Sequence, residues 1–382
     1  MSEMCFPSAK KGVLMLLLLL VCLPLGACSE EPVRLGFSGT LKGKYSDLGV
    51  QGRNGALLAV EEINAAGGID GRRIEFLVRD DHNTPEGAVK ADKELVAEGV
   101  SAIIGHMTSS QSIVAVREMK DSGIVYIAPT TSTPLLQGRK DNFFRVIPTL
   151  TDLSKRLAEY SVDKLGRRRL AVVWDMSNKA FAESYKSFFT ETFVQKGGKL
   201  VGEVSIGRRE GSLDWQKIVD ELKGMKPDAV IVVTAARDLA GFAQFCALNK
   251  ADWAIMSSMW GYTKELIQTG GKSVEGIIFV VHFAEDDPEE GYVDFKNRFI
   301  KRFGWPPNFA AAFGYQAVLV FEEAVKRNGG STEGLAQIIP GIAFEEGLIG
   351  PFEIDEFGDV VRNGHIVTVK DGNFVTVSKG ER

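Results

Sequence analysis

Along this chain, short unbroken apolar runs alternate with longer stretches whose apolar residues recur every three or four positions. Val33-Arg34-Leu35-Gly36-Phe37 reads as a strand ending at Ser38-Gly39. Ala56, Leu57, Val60 and Ile63 then share one face at helical spacing, which predicts a helix over 54–64. The pattern repeats: strands over 74–78, 101–105 and 124–128, helices over 85–96 and 112–121. Pro85 suits the first turn of its helix, where its missing N–H costs nothing. After Pro148 a second series begins. Helices are predicted over 153–164, 180–196, 215–223 and 239–248, and strands over 170–174, 200–206, 229–233, 253–256 and 277–281. Two long helices follow, over 291–303 and 309–327. The chain closes as β: a short strand over 352–354, then strands over 365–369 and 374–377 around the hairpin signal Lys370-Asp371-Gly372-Asn373.

Such alternation implies right-handed βαβ units and parallel sheets. Two consecutive series followed by a return of helices and strands predict an α/β fold of two doubly wound parallel-sheet lobes, crossed by the chain several times. Ligands in such sheets sit beyond the carboxyl ends of the strands, and a cleft between two sheets is the expected site. The sequence shows no linker rich in Pro, Gly or Ser, no low-complexity tract and no short repeat.

The first 27 residues follow another pattern. Lys10 and Lys11 precede a nearly pure apolar run, Val13 to Leu23. At about eleven residues it suits the core of an export signal and is too short to span a bilayer. Leu25-Gly26-Ala27-Cys28 comes next. Small residues ahead of a cleavage point suggest a signal peptide, and the Cys makes the group resemble a bacterial lipobox, with Cys28 acylated as the new N-terminus. The alternative is an ordinary secretory signal with an incidental Cys. Ser29 after the Cys resembles the outer-membrane sorting choice of Gram-negative lipoproteins. The expected location is the periplasmic side, anchored to a membrane by lipid.

Composition narrows the picture further. Apolar residues make up 45% and charged residues 25% of 382, which excludes a disordered chain and a multispan membrane protein. The net charge of −5 leaves no general electrostatic footprint for nucleic acid. Cys5 and Cys22 would leave with the signal and Cys28 would carry lipid, so Cys246 alone remains and no internal disulfide is expected. An extracytoplasmic setting without ATP or reductant argues against kinases and thiol enzymes.

Candidate chemistry concentrates after two strands. In Ile104-Gly105-His106-Met107-Thr108-Ser109-Ser110-Gln111-Ser112 a buried strand stops at Gly105 and hydroxyls lead into a helix, a setting that binds anions. Ala128-Pro129-Thr130-Thr131-Ser132-Thr133-Pro134 is a second hydroxyl cluster after the next strand. Parallel strands bring both to one edge, where they form a cradle for a carboxylate. Plain capping and turn chemistry is the other account. The four His (His82, His106, His282 and His365) lie far apart without metal-ligand spacing, and neither metal nor cofactor is expected. Gly271-Lys272-Ser273 mimics the end of a P-loop, but Leu266 stands where the first Gly is required.

The chain resembles the type I periplasmic solute-binding proteins of the leucine/isoleucine/valine-binding family, which serve ABC importers. The resemblance rests on Glu61-Glu62-Ile63-Asn64-Ala65-Ala66-Gly67-Gly68-Ile69-Asp70-Gly71, then Asp80-Asp81, Ile104-Gly105-His106, Ser109-Ser110 and the Pro129 to Pro134 loop. It implies two lobes joined by three crossings, near Pro148-Thr149, Val281-Phe283 and Gly350-Phe352. The first lobe would comprise 28–148 and 282–350, the second 149–281 and 351–382. Carboxylate contacts carry over to Ser109, with Ser110 beside it, and to Thr130, Thr131 and Ser132. The second lobe's wall falls on Phe181 and Ala235, where the family has Tyr. Its ammonium-pairing acid belongs just after Met256, but the row reads Ser257-Ser258-Met259-Trp260. Asp81 and Glu285 are the acids that would take over that role. The family's disulfide positions hold Asn83 and Thr108.

The expected function is therefore solute capture for an ABC permease, with a small ligand held between the lobes and no catalysis. The ligand is an amino acid or a related small apolar or aromatic carboxylate. Two alternatives stand beside it. One is a ligand-sensing receptor for a signalling partner. The other is a hydrolase using the same cleft, although no nucleophile–base pair is evident.

Overall fold

A computed structural model describes residues 1–3, 31–43, 45–207, 213–286 and 289–380. Residues 4–30, which hold Lys10, Lys11, the apolar run and Cys28 of the expected signal and anchor, lie outside the described residues.

The first sheet is wholly parallel. It contains β1 (Val33–Gly39), β2 (Ile74–Asp80), β3 (Ala102–Gly105), β4 (Val125–Ala128) and β5 (Phe143–Arg145), in spatial order β2-β1-β3-β4-β5. Every residue of β3 and β4 is buried. A parallel strand is covered on both faces, so its sequence reads as an unbroken apolar run rather than an alternation. The helices of this half are α1 (Ser46–Ala65), α2 (Pro85–Ala97) and α3 (Ser109–Glu118).

After β5 the chain passes to the second half through α4 (Leu150–Asp163). The second sheet holds β6 (Arg169–Asp175), β7 (Lys199–Ile206), β8 (Ala229–Val233), β9 (Ala254–Ser257) and β10 (Ile278–Val281), parallel throughout. Its helices are α5 (Lys179–Gln195), α6 (Trp215–Met225), α7 (Ala236–Leu248) and the short α8 (Lys264–Gly270). The chain then returns to the first half as α9 (Glu290–Phe303), α10 (Phe309–Arg327), the one-turn α11 (Leu335–Ile338) and a small antiparallel pair, β11 (Ala343–Phe344) with β12 (Phe352–Glu353). It ends in the hairpin of β13 (His365–Lys370) and β14 (Asn373–Ser378), which joins the second sheet antiparallel to β10. The order there is β14-β13-β10-β9-β8-β6-β7.

Three departures from the sequence reading have physical causes. Helix α1 begins at Ser46, not at 54. Gly49, Gly52 and Gly55 weaken the helical signal there, but they serve packing. A methyl group on Gly55 would stand 1.9 Å from the Ala311 carbonyl oxygen, and one on Gly314 would stand 2.3 Å from that of Gly52. α1 and α10 thus meet backbone to backbone. Helix α3 begins at Ser109, so both serines of the expected cradle lie in its first turn. The third departure is the last crossing. Arg145, fully buried, directs Nε to Asp359 Oδ1 at 2.7 Å, and its backbone N–H donates to Gly358 O at 3.0 Å. A buried guanidinium needs a counter-charge, so the chain stays with the first sheet through Asp359. The passage back falls between Asp359 and β13, later than Gly350–Phe352.

The turn of the family motif is also explained. The Asn64 side chain donates to Ile74 O at 2.9 Å and accepts from Ile74 N at 2.7 Å, standing in for a strand neighbour. Gly68 has φ +82°, and a methyl there would lie 2.1 Å from Arg72 O.

Candidate functional site

The carboxyl ends of β3, β4, β6, β9 and β10 point toward one another across the two sheets, and the segments that leave them enclose a cavity. From the first half come Leu48 on α1, Met107 after β3, Thr130 and Ser132 after β4, and Phe309 at the start of α10. The second half supplies Asn178, Phe181 and Tyr185 around the start of α5, with Met259 and Trp260 after β9. Ile147, Leu150 and Leu153 at the first crossing and His282 at the second complete the wall. The cavity is narrow: the space open to the centre of a water molecule is about 30 Å³.

Five of the nine residues singled out from the sequence therefore share one wall: Thr130, Ser132, Phe181, Met259 and Trp260. The aromatic part is well defined. Phe181 meets Trp260 edge to face, with ring centroids 5.9 Å apart, and Tyr45 approaches Trp260 at 6.2 Å. Tyr185 stands 5.9 Å from Phe181, one helical turn on.

The other four residues are placed differently. Ser109 is buried in the first turn of α3, and its Oγ has no hydrogen-bond partner among the described residues. Ser110 links the two halves: its N–H donates to Asn178 Oδ1 at 3.2 Å, and its Oγ accepts from Ala180 N at 3.1 Å. Thr131 turns inward, donating to His106 O at 3.0 Å and pairing with Ser112 Oγ at 2.6 Å. Ala235 precedes α7 and does not line the cavity. Neither Thr108 nor Ser109 caps α3 through its side chain, so that cluster is not explained by capping. Thr133 does accept from Leu135 N at 3.3 Å, which is turn chemistry.

Among the described residues, no Asp, Glu, Lys or Arg lines the cavity. The two acids expected to meet an ammonium are engaged elsewhere. Asp81 accepts from Thr40 Oγ1 at 2.7 Å and faces His106 Nδ1 at 3.0 Å. Glu285 pairs with Lys264 at 2.6 Å. His106 lies behind the site, fully buried between Asp81 and Asp92, with Nε2 3.0 Å from Asp92 Oδ2. Burial alone would discharge the imidazole, but Asp92 and Asp81 outweigh it and push its pKa up to about 10. Tyr126 donates to Asp92 at 2.6 Å. This network holds the backbone from which Thr131 hangs. Cys246 is buried, and burial pushes its thiol up to about 12.

Sequence reasoning missed the other nine lining residues, Leu48, Tyr185 and His282 among them. A signal existed for two of them. Tyr185 lies four residues after Phe181, on the same helical face. His282 directly follows a buried strand, at the carboxyl edge of the second sheet as Thr130 lies at that of the first.

Two such sheets, joined by repeated crossings and open to each other at their carboxyl ends, form the fold of the type I periplasmic binding proteins. The chain belongs to the periplasmic binding protein family, whose sequence profile matches residues 32–373. A curated relative is the leucine-, isoleucine-, valine-, threonine- and alanine-binding protein of Pseudomonas aeruginosa. It is 23% identical over 346 residues, which cover 87% of this chain and 88% of that protein. A leucine-binding protein from Thermotoga maritima superposes with a TM-score of 0.82 at 24% identity, over 91% of this chain and 98% of that one. A solute-binding protein of an ABC transporter from R. palustris, in complex with benzoate, gives 0.82 at 22% identity, over 91% and 96%. Family members are solute-binding proteins, not enzymes.

Proposed function

We propose that this chain is the extracytoplasmic solute-binding lipoprotein of an ABC importer, without enzymatic activity, and that it closes two lobes on a small carboxylate bearing an apolar or aromatic body. The hydroxyls of Ser132 and Ser109 hold the carboxylate, Thr130 lines the wall beside them with its own hydroxyl donated to Met107 O at 2.6 Å, and Phe181, Met259 and Trp260 hold the body. Cys28 carries the lipid. Closure orders the surface that the permease reads. A ring is larger than the present gap, so the lobes part to admit it and the crossings act as the hinge.

One observation carries the choice of ligand: the cavity offers hydroxyls and apolar walls but, among the described residues, no carboxylate. Burying an ammonium without an acidic partner is costly. The Pseudomonas relative is named for amino acids and the R. palustris protein holds benzoate. Both ligand types share a carboxylate and differ at the amino group, and this wall favours the type without one. Calorimetry should compare leucine and phenylalanine with their deaminated acids and with benzoate. The acids should bind more tightly. Submicromolar leucine binding, with its deaminated acid at least about tenfold weaker, would overturn the ligand assignment.

A further inference from the structure

His282 follows β10 at the second crossing and lines the cavity with 6% of its surface exposed. Its Nδ1 lies 3.4 Å from the backbone oxygen of Asn363. A carbonyl can only accept, so the proton of that contact sits on Nδ1 and Nε2 presents a lone pair. Nε2 is buried and has no hydrogen-bond partner among the described residues. Burial, aided by the nearby charges of Arg362 and His365, pushes the imidazole down to about 3 and keeps it uncharged. Tyr185, also in the wall and 1% exposed, has a hydroxyl without a partner among the described residues.

An isolated buried acceptor costs free energy unless a donor reaches it. The chemistry of the donor follows by elimination. A carboxylate oxygen would set lone pair against lone pair, so His282 does not serve the acid end. An ammonium would bring a net positive charge beside Arg362, into a wall without a described carboxylate. A hydroxyl brings the donor without the charge.

We propose that the cavity selects a hydroxylated small acid, with His282 Nε2 accepting the ligand O–H while the hydroxyls of Ser132 and Ser109 hold its carboxylate. His282 is then the residue that determines specificity among acids of one shape. This inference rests on the carboxylate reading above and deepens it.

The test uses the mature protein freed of ligand by denaturation and refolding. Calorimetry compares benzoate with its three hydroxybenzoate isomers, and isocaproate with its α-hydroxy derivative. In wild type, at least one hydroxylated acid should bind about tenfold more tightly than its parent, the factor of one net hydrogen bond. His282→Phe keeps a ring but removes the acceptor. It should bring that pair within about threefold of each other and leave the parent acid's affinity nearly unchanged. If parent acids bind and no hydroxyl improves any of them, the inference fails and the carboxylate reading survives. If no acid binds and amino acids do, both fail. Equal losses for both members of the pair in His282→Phe would make the residue merely structural. Should that variant not fold, the ¹⁵N resonance of His282 Nε2 in wild type decides. It should move from the free-acceptor position on adding the hydroxylated acid and stay with the parent acid; no difference overturns the inference.

Discussion

Ser109→Ala separates a binding role from a structural one most cleanly. The Ser109 hydroxyl is buried, has no partner among the described residues, and does not cap the helix in whose first turn it lies. A buried unsatisfied hydroxyl costs about 1–3 kcal/mol. Alanine removes that cost together with one small atom, so the unliganded protein should be unchanged in stability or gain up to about 1 kcal/mol. If the hydroxyl donates to a ligand carboxylate, its loss removes a hydrogen bond to a charged group, about 1.5–3 kcal/mol. Kd should then rise about ten- to hundredfold. Thr131→Val is the matched control. Its hydroxyl is spent on His106 O and Ser112, so it should lose about 1–3 kcal/mol of stability and leave Ser112 unpaired. Urea denaturation without ligand and calorimetry with the best-binding acid measure both quantities. A loss above about 1 kcal/mol in unliganded Ser109→Ala, with Kd unchanged, would refute the reasoning.

The His106 network makes a pH-dependent contribution. The imidazole is raised from its ordinary 6.5 to about 10, so its stabilisation is complete below the lower value and is lost as pH rises through the upper one. Asp92→Asn should cost about 3–5 kcal/mol at pH 7, and the gap from wild type should narrow above pH 10; a constant gap in urea titrations would exclude a charged His106. Asp47 shows the same sign at lower pH, with the neutral form favoured: burial, then Glu265, pushes its carboxyl up to about 6. The folded form favours the proton, so stability falls as pH rises from about 4 to 6, and Asp47→Asn should raise Tm at pH 7.5 but not at pH 4. Equal shifts at both would count against it. Cys28→Ala should release the protein from the membrane fraction, and wild type with no acyl mass on Cys28 would contradict the anchor.

The fold was legible because parallel strands buried on both faces leave unmistakable apolar runs, as in Ala102–Gly105 and Val125–Ala128. The wide turn after α1 was legible because Asn64, Gly68 and their neighbours must satisfy several backbone constraints within a few residues. Part of the site was legible for a related reason. Hydroxyls clustered directly after strand ends, as at Thr130 and Ser132, are conspicuous. The remainder was hidden by features with no local signature. Leu48 lies in a helix whose glycines erase its periodicity. His282 gains meaning only from Asn363, far away in sequence. Arg145 and Asp359 join the last segment to the first sheet through a pair that no spacing rule connects.

The close contact between α1 and α10 bears on ligand size. Leu48 stands in the first turn of α1 and Phe309 at the first turn of α10, and both face the cavity. The separation of these side chains is set where Gly55 meets Ala311 and Gly314 meets Gly52, outside the cavity altogether. The glycines act as a spacer of zero thickness: one methyl inserted there would prise the helices apart by more than an ångström and shift both side chains together. Relatives could therefore retune the bore of the pocket without altering any residue that touches the solute.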